Sequence, residues 1–244
     1  MERHTYERMA EIDGEHWWFT ARRRIVAALI EAQVKPKPGA RILEVGCGTG
    51  SNLAMLQRYG RVDAIEPDGP ARALAERRSG LSIQSGLLPD GVTLEDGAYD
   101  LIVLLDVLEH IPDDAGTLDY LRSKLAPGGK LLLTVPASPW LWSAHDVIHH
   151  HQRRYTKDTL TRVVEGAGFR IRHRTHFNTI LFPVVVALRA ANKLLKREAA
   201  DDAMPSPLVN RILNATFGAE SHWVARRSLP FGVSLGVVAE PLIR

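Results

Sequence analysis

The sequence predicts an α/β fold: a doubly wound, mostly parallel sheet of seven strands, with a helical lid at the N-terminus and a helical insertion before the last strand. Three observations predict it. Short apolar runs alternate with helix-period segments from residue 41 to residue 135, the pattern of a parallel sheet covered on both faces. Glycines at 46, 48 and 50 end the first of those runs, where the backbone can turn tightly and approach a ligand. The length of 244 residues, with 45% hydrophobic and 24% charged content, suits one large globular domain with a few extra helices.

The elements follow in order. Residues 1–36 form the lid: His16-Trp17-Trp18-Phe19 opens a segment with Ile25, Val26, Leu29 and Ile30 at helical spacing, and Pro36 and Pro38 close it. The core, 37–176, takes strands at 41–45, 61–66, 81–85, 99–105, 130–135 and 169–175, and helices at 51–59, 69–78, 114–125 and 156–166. Residues 137–155 make a polar and aromatic loop. The insertion, 177–229, carries a helix over 183–197, an acidic and proline-bearing break (Asp201-Asp202-Ala203-Met204-Pro205-Ser206-Pro207), then one or two further helices. The final strand, 233–239, lies in 230–244. There is no internal repeat and no second domain, so the chain reads as a single domain over 1–244.

The turn Leu43-Glu44-Val45-Gly46-Cys47-Gly48-Thr49-Gly50 discriminates between cofactors. A dinucleotide fingerprint needs G-x-G-x-x-G, with helix amides facing a pyrophosphate. Here the last glycine arrives one residue early, and Ser51 fills its place. Glu44 also sets a carboxylate beside the pyrophosphate position, where two anions would repel. The sulfonium and ammonium of S-adenosylmethionine (SAM) would instead be attracted. Glu66, 16 positions after Gly50, ends the next strand and suits a carboxylate accepting both ribose hydroxyls. Cys47, the single cysteine, leaves no internal disulfide and fits a reducing compartment; lying against the cofactor, it is not expected to be a nucleophile.

At these residues the chain resembles the class I SAM-dependent methyltransferases, from about Arg41 to Pro136. Later marks of that family stand in order: Tyr99-Asp100-Leu101-Ile102-Val103, then Asp106-Val107-Leu108-Glu109-His110, then Pro127-Gly128-Gly129 before a strand at Lys130–Val135. The resemblance implies a Rossmann-like methyltransferase fold, SAM as cofactor, and a last strand inserted between earlier ones. It places Glu44, Gly46, Gly48 and Gly50 along the methionine part, Glu66 at the ribose and Asp106 near the amino end. Cys47 and Pro67, in the same two turns, join the expected cofactor contacts. Arg22, on the N-terminal helix, is expected to meet the cofactor's carboxylate, with Arg23 as the alternative. The chain departs from the family in Ser85-Gly86-Leu87, which offers no acid for the adenine amino group.

Methyl transfer from a sulfonium is an in-line displacement, so the protein chiefly aligns the acceptor and excludes water. A general base helps a hydroxyl or ammonium acceptor, and histidine suits that role near neutral pH. His110 reads as part of the cofactor pocket or of the framework. The richer stretch runs from Trp140 to Tyr155, with His145, His151 and Tyr155 as candidate catalytic residues and Asp146 as the group that orients an imidazole. It resembles a subgroup of bacterial methyltransferases with a His-Asp pair followed by His-x-Arg-Arg-Tyr, associated with cell-surface glycan or lipid pathways. The competing reading makes this segment a cap, with Arg153 and Arg154 paired to Asp158 or Glu165. No metal is expected, because the adjacent His149, His150 and His151 point apart and no cysteine or spaced acidic pair completes a closed site. Trp17, Trp18 and Phe19 either wall an acceptor pocket or pack as core.

A net charge of +3, spread in short basic clusters, makes nucleic acid an unexpected partner. No signal peptide is visible at the polar, charged N-terminus. In the insertion helix Leu181, Val184, Val185, Leu188 and Leu195 share one side, with Arg189, Lys193, Lys196 and Arg197 on an adjacent one. Its apolar stretch is too short for the roughly 20 residues that cross a bilayer. It either lies at a membrane surface or docks on the core, the reading preferred on these residues. The sequence thus predicts a cytoplasmic SAM-dependent methyltransferase, with contact at the inner face of the membrane as a variant. Its acceptor is small or amphiphilic, a lipid-linked or glycan intermediate being the specific version, with O-methylation preferred over N-methylation. The rivals are a soluble secondary-metabolite N- or O-methyltransferase and an inactive scaffold acting through partners. Oligomeric state is left open.

Overall fold

The computed structural model describes residues 3–195 and 204–242. Six strands form one sheet: β1 (Arg41–Val45), β2 (Arg61–Ile65), β3 (Tyr99–Leu105), β4 (Leu125–Pro136), β5 (Phe169–Phe177) and β6 (Ser234–Pro241), in the order β2-β1-β3-β4-β6-β5. The first four run parallel, and β6 slots antiparallel between β4 and β5, as expected of the last strand. The expected seventh strand, at 81–85, is reduced to a single bridge between Ile65 and Gln84. It lies beyond β2, where Ile83 is buried but Gln84 and Ser85 are exposed, and at Gly86 the chain turns away with φ at +154°.

Alternation along the strands divides the core in two. Leu101, Val103 and Leu105 of β3 belong to one apolar layer, Ile102 and Leu104 to the other. After α1 (Arg3–Ile12), the first layer is covered by α2 (Trp17–Leu29), α3 (Leu53–Leu56) and α4 (Gly69–Ser79); α2 supplies most of the packing, burying Ala21, Ile25, Val26 and Leu29. His16 caps α2 by accepting the Trp18 N–H, and a π turn over Ile30–Val34 ends it at a left-handed Lys35. The second layer is covered by α5 (Asp114–Lys124) and, beyond the short α6 (Ala144–Ile148), by α7 (Lys157–Gly166), through Leu118, Leu121, Leu160 and Val164. The helix expected over 51–59 shrinks to the single turn of α3: Asn52 at its N-cap gives its side-chain amide to Glu44, and at the far end Arg58 and Tyr59 bond back only three residues, to Met55 and Leu56.

The insertion splits into two unlike parts after α8 (Phe182–Leu194). Beyond it, α9 (Pro207–Ala219) docks on α2: Asn210 accepts the Trp17 N–H at 2.8 Å, and Trp18 stacks on Phe217 at 5.1 Å between ring centroids. The short α10 (Ser221–Val224) closes this side. By contrast, none of the described α8 side chains is buried, and Val184 and Leu188 are 52% and 59% exposed. The docked reading of this helix is therefore corrected. Leu181 is buried and Phe182 touches Trp140 and Phe231, which pins the N-terminal end, but beyond it the apolar side chains enter no layer formed by the described residues. Lys196, Arg197 and the acidic run 201–203 lie outside the described residues. No helix among the described residues is long and apolar enough to cross a membrane.

Candidate active site

The carboxyl ends of β1, β2, β3 and β4 converge, and the expected cofactor residues meet there. Gly46, Gly48 and Gly50 all have left-handed φ, +68°, +55° and +81°. A Cβ on Gly46 would meet Val107 at 2.8 Å, and one on Gly50 would meet Ala75 at 3.0 Å, so the turn is closed to side chains from both directions. Glu66 ties this turn to the next: one carboxylate oxygen accepts the Gly48 N–H at 2.7 Å and the other the Asp68 N–H at 2.9 Å. Two bonds leave further lone pairs on a carboxylate for ribose hydroxyls. Pro67, between the bonded residues, is exposed. Cys47 is buried, and burial together with the charges of Glu44 and Glu66 pushes its thiol far above its ordinary pKa, so it is inert.

Two buried polar atoms stand without partners beside this turn. Glu44 is 1% exposed; one oxygen accepts from Asn52 at 2.9 Å, and the other has no partner among the described residues. Burial pushes its carboxyl up to about 7, against the pull of Asn52 and Arg22. Arg22 reaches in from α2 and pairs with Asp106 at 2.7 Å and Thr134 at 3.1 Å, while its Nε is buried and unpartnered among the described residues. Thr134 in turn donates to Asp106 at 3.1 Å, and Asp106 itself sits in the left-handed region at φ +57°. An orphaned acceptor and an orphaned cationic donor at one turn fit the ammonium and carboxylate of the methionine part of SAM. In this structure Arg22 meets a protein carboxylate; Arg23 instead donates to the Asp13 carbonyl at 2.7 Å.

The loop after β4 supplies the second half of the site. Asp146 has a fully buried side chain and accepts from the Ser143 N–H at 2.8 Å, from His151 Nδ1 at 2.8 Å and from Arg154 Nε at 2.6 Å. Burial alone would raise its pKa, but the bonds from His151 and Arg154 prevail and hold it well below the usual carboxylate range. With Nδ1 turned to Asp146, Nε2 of His151 points toward Glu109, 4.0 Å away. Glu109 is fully buried, and neither of its carboxylate oxygens has a hydrogen-bond partner among the described residues. Burial and the nearby Asp106 charge raise its pKa well above the ordinary value. His110 faces His151 edge-on at 4.8 Å between centroids, and burial beside that ring lowers its pKa to about 4.

Of the three expected catalytic residues, the structure brings only His151 to Asp146. His145 lies against His149, its ring 6.1 Å from that of His151. Tyr155 is in the core, 2% exposed, with its hydroxyl donating to Asp114 at 2.8 Å, so its expected place in the site is corrected to one in the framework. The two arginines before it do not take Asp158 or Glu165: Arg153 pairs with Asp114 and Arg154 with Asp146. Trp17 and Trp18 pack against Phe217 as core. Sequence reasoning missed Thr134, Asn52 and the carboxylate of Glu109. Asn52 and Thr134 carry no local signal, whereas the Glu109-His110 pair just past a strand end reads as framework or cofactor pocket, and its unpartnered carboxylate shows only in the assembled structure.

A parallel sheet with one antiparallel insertion, and a glycine turn flanked by Glu44 and Glu66 at its carboxyl edge, define a class I SAM-dependent methyltransferase. A family model described as a methyltransferase domain matches residues 17–174, and the chain belongs to that family. Among curated proteins it is similar to a ubiquinone biosynthesis O-methyltransferase of Aeromonas salmonicida, 29% identical over 55% of this chain and 64% of the relative. A protein of the same description from Xanthomonas axonopodis is 33% identical over 43% of this chain and 46% of that one. The chain thus spans less than two thirds of these relatives. Among solved structures, a SAM-dependent methyltransferase from Archaeoglobus fulgidus superposes with a TM-score of 0.56 at 17% identity, covering 89% of this chain and 93% of that one.

Proposed function

We propose that this protein transfers the methyl group of SAM to an oxygen of an amphiphilic, lipid-like acceptor. The observation that carries the transfer is the pair of orphaned buried atoms, Glu44 Oε2 and Arg22 Nε, beside a turn with no room for side chains. When bound, SAM supplies the activated methyl group. Glu44 and Arg22 hold the amino-acid end, Glu66 holds the ribose, and the Asp146–His151 pair takes up the acceptor's proton. An oxygen acceptor agrees with the O-methylation named for the curated relatives. An inert scaffold is disfavoured, because buried polar atoms without partners cost free energy that a bound ligand recovers.

The lipid-like acceptor rests on α8. Its exposed Val184 and Leu188 continue into the histidine loop through Phe182 against Trp140, and Arg189 donates to the Leu141 carbonyl. An apolar face joined to the catalytic loop suits an acceptor whose chain stays in a lipid surface. The wild-type protein is expected to co-sediment with vesicles of phosphatidylglycerol and phosphatidylethanolamine, and the Val184→Glu/Leu188→Glu double variant to stay in the supernatant. Failure of the wild type to sediment would leave a soluble small-molecule acceptor.

Cofactor binding has its own signature through Glu44. In the ligand-free fold its carboxyl titrates at about 7 rather than 4.5, so the folded state keeps a proton that the unfolded chain releases. Stability should therefore fall as pH rises from the unfolded value toward 7, by on the order of 3 kcal/mol. A bound ammonium favours the ionised carboxylate. S-Adenosylhomocysteine is thus expected to release close to one proton on binding at about pH 6, read from the buffer dependence of the calorimetric heat. Glu44→Gln should bind more weakly and release none.

A further inference from the structure

Glu109 and His110 follow β3, while His151 comes from the loop after β4, and the two segments are stitched by the Gln152 N–H donating to the Glu109 carbonyl at 2.8 Å. One ligand atom from each of Glu109, His110 and His151 lies within 4.8 Å of the others. We propose that these three side chains bind a divalent transition-metal cation. Around an ion held at about 2.0–2.2 Å by nitrogen and oxygen, neighbouring ligand atoms stand roughly 3–3.5 Å apart. Closing the observed cluster to that size needs side-chain shifts of about an ångström, well within rotation about the histidine and glutamate side-chain bonds.

Three independent features favour a cation over a simple hydrogen-bonded cluster. Glu109 is fully buried with both oxygens unpartnered among the described residues. The nearby guanidiniums are already engaged, Arg154 on Asp146 at 2.6 Å and Arg22 on Asp106 at 2.7 Å, so an ionised Glu109 would have no direct counterion among the described residues. The third feature is Asp146, which takes Nδ1 of His151 at 2.8 Å and leaves Nε2 facing Glu109. A carboxylate holding the far nitrogen is the usual support of a metal-ligating histidine. Two imidazoles and one carboxylate without a thiolate select zinc, cobalt, nickel or ferrous iron over magnesium or calcium. Three protein ligands also leave a coordination position for water or an acceptor oxygen, as in catalytic rather than structural sites.

This site shares His151 with the methyl-transfer reading but none of the cofactor residues, and its test uses the metal alone. Metal-stripped full-length protein is titrated with Zn2+ by calorimetry and with Co2+ by visible absorption. The wild type should take up one ion per chain, with cobalt giving ligand-field bands. Glu109→Gln and His151→Ala should each lose binding by 100-fold or more, and Asp146→Asn, which acts only through His151, by about 10–100-fold. His145→Ala should bind as the wild type does. His110→Ala replaces Glu109→Gln should that variant fail to fold, with S-adenosylhomocysteine binding as the check on folding. No uptake by the wild type, or uptake undiminished in the Glu109 and His151 variants, overturns the site.

Discussion

Gly46→Val is expected to abolish S-adenosylhomocysteine binding in calorimetry and to lower unfolding free energy by about 2–5 kcal/mol in urea titrations. Two costs combine. A side chain at φ +68° meets the left-handed penalty, which is greater for a β-branched residue than for alanine. The new Cβ also falls 2.8 Å from Val107, a residue fixed between β3 and the turn that carries Glu109. The turn itself cannot retreat, because the Gly46 and Cys47 N–H groups both donate to the Ile65 carbonyl and lock it onto β2. Gly80→Ala separates the two costs. It has φ of +71° but nothing within 4 Å of its Cβ, so it should show conformational strain alone, about 1 kcal/mol, with unchanged ligand affinity.

That turn was legible because its chemistry is local. A strand, three glycines and an acid at each strand end are consecutive features, and the structure assembles them where the sequence puts them, with Glu66 bonded to Gly48. The parallel core was legible for the same reason, since alternation along β3 sends Leu101 and Ile102 to opposite layers. What failed was whatever depended on a distant partner. The strand at 81–85 had strand-like composition, but beyond β2 it makes only one bridge. Asn52 falls within the helix expected over 51–59, and its side chain is instead spent on Glu44. Tyr155 shares a motif with His151 yet its hydroxyl lies on Asp114 together with Arg153, while Arg154 between them turns to Asp146. The α8 helix has the apolar side that predicts docking, and only the tertiary arrangement reveals that no layer of the described residues covers it. Glu109 was seen as a family mark but not as a buried carboxylate, since burial is a property of the assembled loop after β4.

His151→Ala should lower methyl transfer from labelled SAM into a bacterial lipid extract by about 10²–10⁴-fold, while S-adenosylhomocysteine affinity stays within a few-fold of the wild type. The separation follows from the geometry. Cofactor contacts gather at Glu44, Glu66, Arg22 and the glycine turn, whereas His151 is bonded to Asp146 in the loop after β4. Its Nε2 either takes the acceptor's proton directly or ligates a cation whose bound hydroxide would take it, and removing the ring removes both routes. An equal loss of affinity and turnover would assign His151 to the framework instead. Tyr155→Phe is the matched control from the same motif. It deletes one buried hydrogen bond to Asp114, so it should cost about 1 kcal/mol of stability and leave turnover per folded molecule unchanged. Loss of activity in that variant, with its fold intact, would return the tyrosine to the site and displace the histidine from its assigned role.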